Sequence, residues 1–152
     1  MSHKHLTIPS DTEQLKAVRD AVFEMAEPCL PGKAHMVVLA VDEAVSNVMR
    51  HGGHSVLTSS PLQPSEFQLN SGAIDVDIDS NGIRLQVLIA DGGPKYNPCS
   101  TPAQDAAERT LARSRGGMGL SIMRRVMDEI HYDRTPDERN ELRMIKYINP
   151  VS

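Results

Sequence analysis

Glu43, Asn47, Arg50 and His51 form a short polar run whose spacing suits joint chemistry. Positions three or four apart on a helix stack above one another, so these four side chains share one face. A carboxylate there can serve as a base or bridge a metal, and the neutral carboxamide four residues on can add a metal ligand at the same point in space. A solvated polar face has the same pattern, because any amphipathic helix presents such pairs. Two later motifs bear on the choice. Asp91-Gly92-Gly93-Pro94 follows the apolar run Val87-Leu88-Ile89-Ala90. It would hold a carboxylate at a strand end, ready to meet an amino-substituted heterocycle such as adenine; a plain Asp-Gly turn is the alternative. Gly116-Gly117-Met118-Gly119 opens an apolar-periodic segment. A Gly-rich turn at a helix start exposes N–H groups and the positive end of the helix dipole, which suits phosphate. A structural turn reads the same way, and the motif is neither a G-x-G-x-x-G after a strand nor a P-loop with its Lys.

The elements that must position these residues can be read from periodicity. Val37, Val41, Ala44, Val45 and Val48 recur at helical spacing and predict a helix over residues 33–51 whose dry side packs inward. An earlier helix is expected over 11–27, with Ser10-Asp11-Thr12-Glu13 as a capping box and Leu15, Val18, Val22 and Met25 as its apolar stripe. Leu6-Thr7-Ile8 before Pro9 has the character of an edge strand. Residues 54–71 are rich in Ser, Pro, Gln and Gly without a period, as in a long surface loop. Ile74, Val76 and Ile78 alternate with three aspartates, and Ser80-Asn81-Gly82 turns the chain into a second strand over 83–90. That second strand reads as central and buried on both faces. Residues 95–115 are expected to form a mobile cover, with a short helix over 103–112. Leu120, Ile122, Met123, Val126, Met127 and Ile130 mark a third helix, and strands over 130–134 and 142–148 close the chain. This order predicts one α+β domain over residues 1–152. It is a two-layer α/β sandwich with helices on one face of a mixed, mainly antiparallel sheet.

Bulk properties narrow the function classes. The chain has 152 residues, enough for one domain with a real core. Its formal net charge of −4 offers no basic surface for nucleic acid. Aromatic residues make up only 3% and Trp is absent, which also removes base-stacking platforms. No apolar run approaches the roughly 20 residues needed to cross a bilayer, and Met1-Ser2-His3-Lys4-His5 lacks the apolar core of a signal peptide. A cytoplasmic location is expected, with neither nucleic acid nor membrane as partner. Cys29 and Cys99 lack the spacing of a metal knuckle or redox pair.

The order Glu-x-x-x-Asn, Asp-x-Gly, Gly-Gly-x-Gly-Leu is far more specific than its parts. It resembles the N-box, G1-box and G2-box of the GHKL ATPases, whose ATP-binding domain has the Bergerat fold, over nearly the whole chain. Glu43-Ala44-Val45-Ser46-Asn47 with His51-Gly52, Asp91 to Pro98, Gly116 to Ile122 with Met127-Asp128-Glu129, and Asn140 to Lys146 look like the anti-sigma-factor serine/threonine kinases of the RsbW and SpoIIAB type. Sensor histidine kinases share the fold but carry a dimerising helical hairpin, for which this chain has no room.

The resemblance implies ATP/ADP and Mg²⁺ as cofactors. Glu43 would act as the catalytic base or base-orienting acid for a substrate hydroxyl, and Asn47 would hold Mg²⁺ against the phosphates. Asp91 would bind the adenine amino group, and Gly93 would let the purine approach the backbone. Gly116, Gly117, Met118 and Gly119, with Leu120 behind them, would wrap the phosphates, with Arg115 adding charge at the lid edge. Arg50 and His51 would neighbour the phosphates; His51 capping the helix end is an equal alternative. Asn140 stands where many relatives carry a Gly-Thr pair near adenine, and would bond a water there; Lys95 replaces a usual Pro or Gly. Function follows as an expectation: a kinase that phosphorylates a STAS-type anti-sigma antagonist and sequesters a sigma factor by partner switching, as a homodimer. A nucleotide-gated module that sequesters its partner without phosphotransfer is the alternative, and retention of Glu43 favours the enzyme. The target need not be a sigma factor, since site chemistry does not name it.

Overall fold

The computed structural model describes residues 2–50, 73–98 and 119–148. The loop expected at 54–71, the short helix at 103–112, most of the cover, His51, and the run Arg115, Gly116, Gly117 and Met118 lie outside these residues. The elements run β1 (Ser2–Pro9), a 3-10 turn (Thr12–Gln14), α1 (Leu15–Ala26), α2 (Ala34–Val48), β2 (Ala73–Ser80), β3 (Arg84–Asp91), α3 (Gly119–Val126), β4 (Glu129–Arg134) and β5 (Asn140–Tyr147).

The five described strands form one sheet in the order β1-β2-β3-β5-β4. All four pairings are antiparallel, so the parallel component left open by the word mixed does not arise among them. β1 lies at an edge, as Pro9 implied, but it starts at Ser2 rather than Leu6. The extension follows from cross-strand chemistry. His3, His5 and Thr7 stand opposite Asp79, Asp77 and Asp75, and the side chains bond across the pair, with His5 Nδ1 2.8 Å from Asp77 Oδ1 and Thr7 Oγ1 donating to Asp75 Oδ1 at 2.7 Å. The β2–β3 turn is closed by Asn81 Oδ1, which accepts from the N–H groups of Ile83 and Arg84 at 3.0 and 2.9 Å. Gly82 sits at φ +85°, where a Cβ would be strained.

Alternation assigns the faces. Ile74, Val76 and Ile78 of β2, Leu85, Val87 and Ile89 of β3, and Leu142 and Met144 of β5 point into one core. Val18 and Val22 of α1, Val37, Val41 and Val45 of α2, and Met123 and Val126 of α3 meet them from the helical layer. β3 departs from the sequence reading: its inner residues are buried, but Gln86 and Leu88 on the other face are only half-buried. Helices cover one face of the sheet, so a central strand keeps a partly wet side, and only its last residues, Ala90 and Asp91, are enclosed on both. Asp11, not Ser10, caps the first helical turn, accepting from Glu13 N–H at 3.0 Å. Among the described residues, no helix is long and apolar enough to cross a membrane.

Candidate functional site

Two structural ends bring the motif residues to one cleft. α2 is anchored by Val37, Val41, Ala44 and Val45, which are buried, while Asn47 and Val48 in its last turn are only partly covered. β3 ends at Asp91, which pairs directly with Asn140 at the start of β5. Between them lies a cleft that opens to solvent. Ala44, Val48, Ile89 and Leu142 supply apolar wall, Asn47, Asp91 and Asn140 supply polar groups, and Pro94, Tyr96, Pro98 and Tyr132 complete the lining. An apolar slot with one convergent carboxylate suits a flat heterocycle that carries an amino group.

Asp91 is 6% exposed, and a carboxylate at that depth needs hydrogen bonds to remain. Its Oδ2 accepts from Gly93 N–H at 2.9 Å and from Asn140 Nδ2 at 3.3 Å. Gly93 therefore belongs to the same constellation as Asp91. The turn following the strand folds back so that its own amide holds the acid.

Asn140 ties the cleft together. Its Oδ1 accepts from the Tyr132 hydroxyl at 2.6 Å, from Arg134 Nη1 at 3.2 Å and from Tyr96 N–H at 3.3 Å. Its Nδ2 donates to the Pro94 carbonyl at 2.9 Å as well as to Asp91. The carboxamide is taken up by protein groups, because it faces a folded-back loop on one side and β4 on the other. Arg134 adds a second clamp, donating to the Gly93 carbonyl at 2.8 Å. Burial raises the pKa of both Tyr96 and Tyr132, with nearby arginines working against it, so both phenols stay protonated at neutral pH.

On the α2 side, Glu43 stands one turn before Asn47 with its side chain 25% exposed. Arg50 donates to Asn47 Oδ1 and lies 3.9 Å from Glu43 Oε2. Gly119 and Leu120 are the first described residues of α3. Glu43 and Asn47 thus share α2, with Arg50 just past its end, and Asn47, Asp91 and Asn140 share the cleft. His51, Arg115, Gly116, Gly117 and Met118 fall outside the described residues.

Tyr132 and Arg134 were missed as site residues. The alternation Ile130, Tyr132, Arg134 puts all three on one face of β4, and the register opposes Tyr132 to Leu142 and Arg134 to Asn140. With that register both could have been assigned to the cleft. Tyr96 carried a weaker signal, lying in an irregular segment after the glycines.

Comparison with known proteins agrees with this geometry. Residues 8–146 match the family model of the histidine kinase-like ATPase domain. Over 109 residues, 72% of this chain, it is 28% identical to an anti-sigma F factor of Thermoanaerobacter sp. strain X514. Over the same length it is 29% identical to an anti-sigma F factor of Caldanaerobacter subterraneus subsp. tengcongensis. The match spans 66% of the length of each of these relatives. The family match takes in α2, the end of β3 and the start of β5, and the chain belongs to the histidine kinase-like ATPase domain family.

Proposed function

We propose that this chain binds ATP or ADP with Mg²⁺ and acts as a serine/threonine protein kinase and anti-sigma factor. The observation that carries the reading is the buried Asp91 carboxylate in an apolar cleft that Asn47 also lines. Asp91 Oδ1 would accept from the 6-amino group of adenine while Oδ2 stays with Gly93 and Asn140. Gly93 lets the base approach the backbone. The phosphates would then extend past Asn47 toward the start of α3 at Gly119.

The donor chemistry fits one Mg²⁺ brought in with the nucleotide. Mg²⁺ takes oxygen ligands, keeps several waters and is commonly bound through phosphates with one or two protein groups. Asn47 Oδ1 is one such group. Mg²⁺ would neutralise charge on the phosphates. Glu43, on the same helix face, would take the proton of the attacking hydroxyl or orient it.

The names of the curated relatives support an anti-sigma role. The partners are a STAS-type antagonist, phosphorylated on Ser or Thr, and a sigma factor, bound in alternation by a cytoplasmic homodimer. Because the partners compete, the ATP/ADP ratio and the antagonist's phosphorylation set how much sigma factor is held. Intact-mass spectrometry of a co-encoded STAS-type protein, incubated with this chain, Mg²⁺ and ATP, tests the reading. A single added phosphate with wild type and none with Glu43→Ala is expected. No phosphate despite ATP binding and complex formation would leave a sequestering module and refute the kinase.

A further inference from the structure

Arg50 makes a contact that nucleotide binding alone does not explain. Helical spacing places Glu43, Asn47 and Arg50 at i, i+4 and i+7, and the Arg50 guanidinium donates to Asn47 Oδ1 while standing 3.9 Å from Glu43 Oε2. Its charge also acts on the Tyr96 phenol, opposing the rise in pKa that burial causes. Arg50 therefore joins the acid and the amide.

The oxygen that Arg50 holds is the one side-chain atom of Asn47 able to ligate a cation, since the amide nitrogen only donates. A guanidinium also only donates, and it keeps its charge at every working pH. A divalent ion on the same oxygen would stand within a few ångström of that permanent charge, so the two repel. The Arg50 side chain is 39% exposed on a flexible stem, which leaves it free to swing away.

We infer that Arg50 is a resident cation that competes with Mg²⁺ for Asn47 Oδ1. It satisfies Asn47 and shields Glu43 before loading, and it cedes the oxygen when polyphosphate draws the guanidinium off. Metal entry then depends on nucleotide, and the Mg²⁺ concentration needed is higher than the site would otherwise require. This assignment rests on the nucleotide reading above.

Calorimetric titration of ATP into the full chain, repeated from EDTA through rising free Mg²⁺, reads the competition as a half-saturating Mg²⁺ concentration. Arg50→Ala should lower that concentration about two- to fivefold, the size expected for a partly exposed charge contact. Arg50→Lys keeps the charge without the planar fork and should shift it less. In Asn47→Ala the Mg²⁺ dependence should collapse, and adding Arg50→Ala should change nothing further. An unchanged or raised half-saturation in Arg50→Ala would overturn the proposal. So would an equal shift from Arg50→Ala in the Asn47→Ala background, since the effect would then be diffuse electrostatics. Wild type that binds no ATP at any Mg²⁺ concentration would instead overturn the nucleotide reading, and this assignment with it.

Discussion

Replacing Asn140 with Ala should both destabilise the fold and loosen the cleft. The residue is 7% exposed, and its carboxamide bonds groups on three segments: Tyr132 and Arg134 of β4, Asp91 of β3, and Pro94 and Tyr96 of the following loop. Not all of these are orphaned by the change. Asp91 keeps Gly93 N–H at 2.9 Å, and Arg134 keeps the Gly93 carbonyl at 2.8 Å. The Tyr132 hydroxyl loses the acceptor it reaches at 2.6 Å, and the Pro94 carbonyl loses its donor at 2.9 Å. A buried polar group left unsatisfied costs about 1–3 kcal/mol, and the cleft admits some water, so the two together should cost about 2–3 kcal/mol. Urea denaturation followed by circular dichroism measures this. Tyr132→Phe should cost about 1 kcal/mol, with the double mutant less destabilised than the sum by a similar amount. A loss below about 0.5 kcal/mol for Asn140→Ala, or strict additivity with Tyr132→Phe, would refute the clamp.

Other parts of the molecule give further expectations. Met123 is fully buried between α3 and the core, so Met123→Ala should cost about 2–4 kcal/mol by denaturation. A loss near zero would mean that α3 does not dock on the core. The Glu129 carboxyl is held below its ordinary value of 4.5, first by the Tyr147 hydroxyl and then by the His131 hydrogen bond. A depressed folded pKa stabilises the fold above the unfolded value, and that contribution is lost as pH falls through the lower folded value. In Tyr147→Phe the Glu129 titration, followed by NMR, should therefore move up toward 4.5; an unmoved titration would remove Tyr147 as the cause. Gly82→Ala should cost about 1 kcal/mol, because φ +85° strains any Cβ; a neutral result would show that the turn adjusts.

The helices were legible because their apolar stripes are long and regular. Val37, Val41, Ala44 and Val45 are buried as the spacing required, and α2 begins within a residue of the expected start. Strand β1 was read short because His3 and His5 look unlike strand residues until Asp77 of β2 bonds both of them across the pair. The second face of β3 was misjudged because a run such as Val87 to Ala90 does not report how many layers cover it. At the site, spacing and residue type singled out Glu43, Asn47 and Asp91, but only the resemblance to a known family set them above a plain polar face and an Asp-Gly turn; the structure brings Asn47 and Asp91 to one cleft. The saturation of Asn140 and the arrival of Tyr132 and Arg134 could not, since these depend on the β4–β5 register and on the loop after Asp91 folding back onto β5. Arg50 was visible as a member of the polar face, but its attachment to Asn47 is a matter of rotamer and geometry.

Asp91 is proposed to read adenine in the cleft that Asn47 also lines. Calorimetry of ATP and GTP with Mg²⁺, on wild type and on Asp91→Asn, tests it most directly. Guanine presents a carbonyl oxygen where adenine presents an amino group, and an amide at position 91 can set a donor against a donor. Wild type should bind ATP at least about a hundredfold more tightly than GTP, and Asp91→Asn should lose most of that preference while keeping its thermal unfolding cooperative. Equal affinity of wild type for the two nucleotides, or ATP binding undiminished in Asp91→Asn, would contradict the claim.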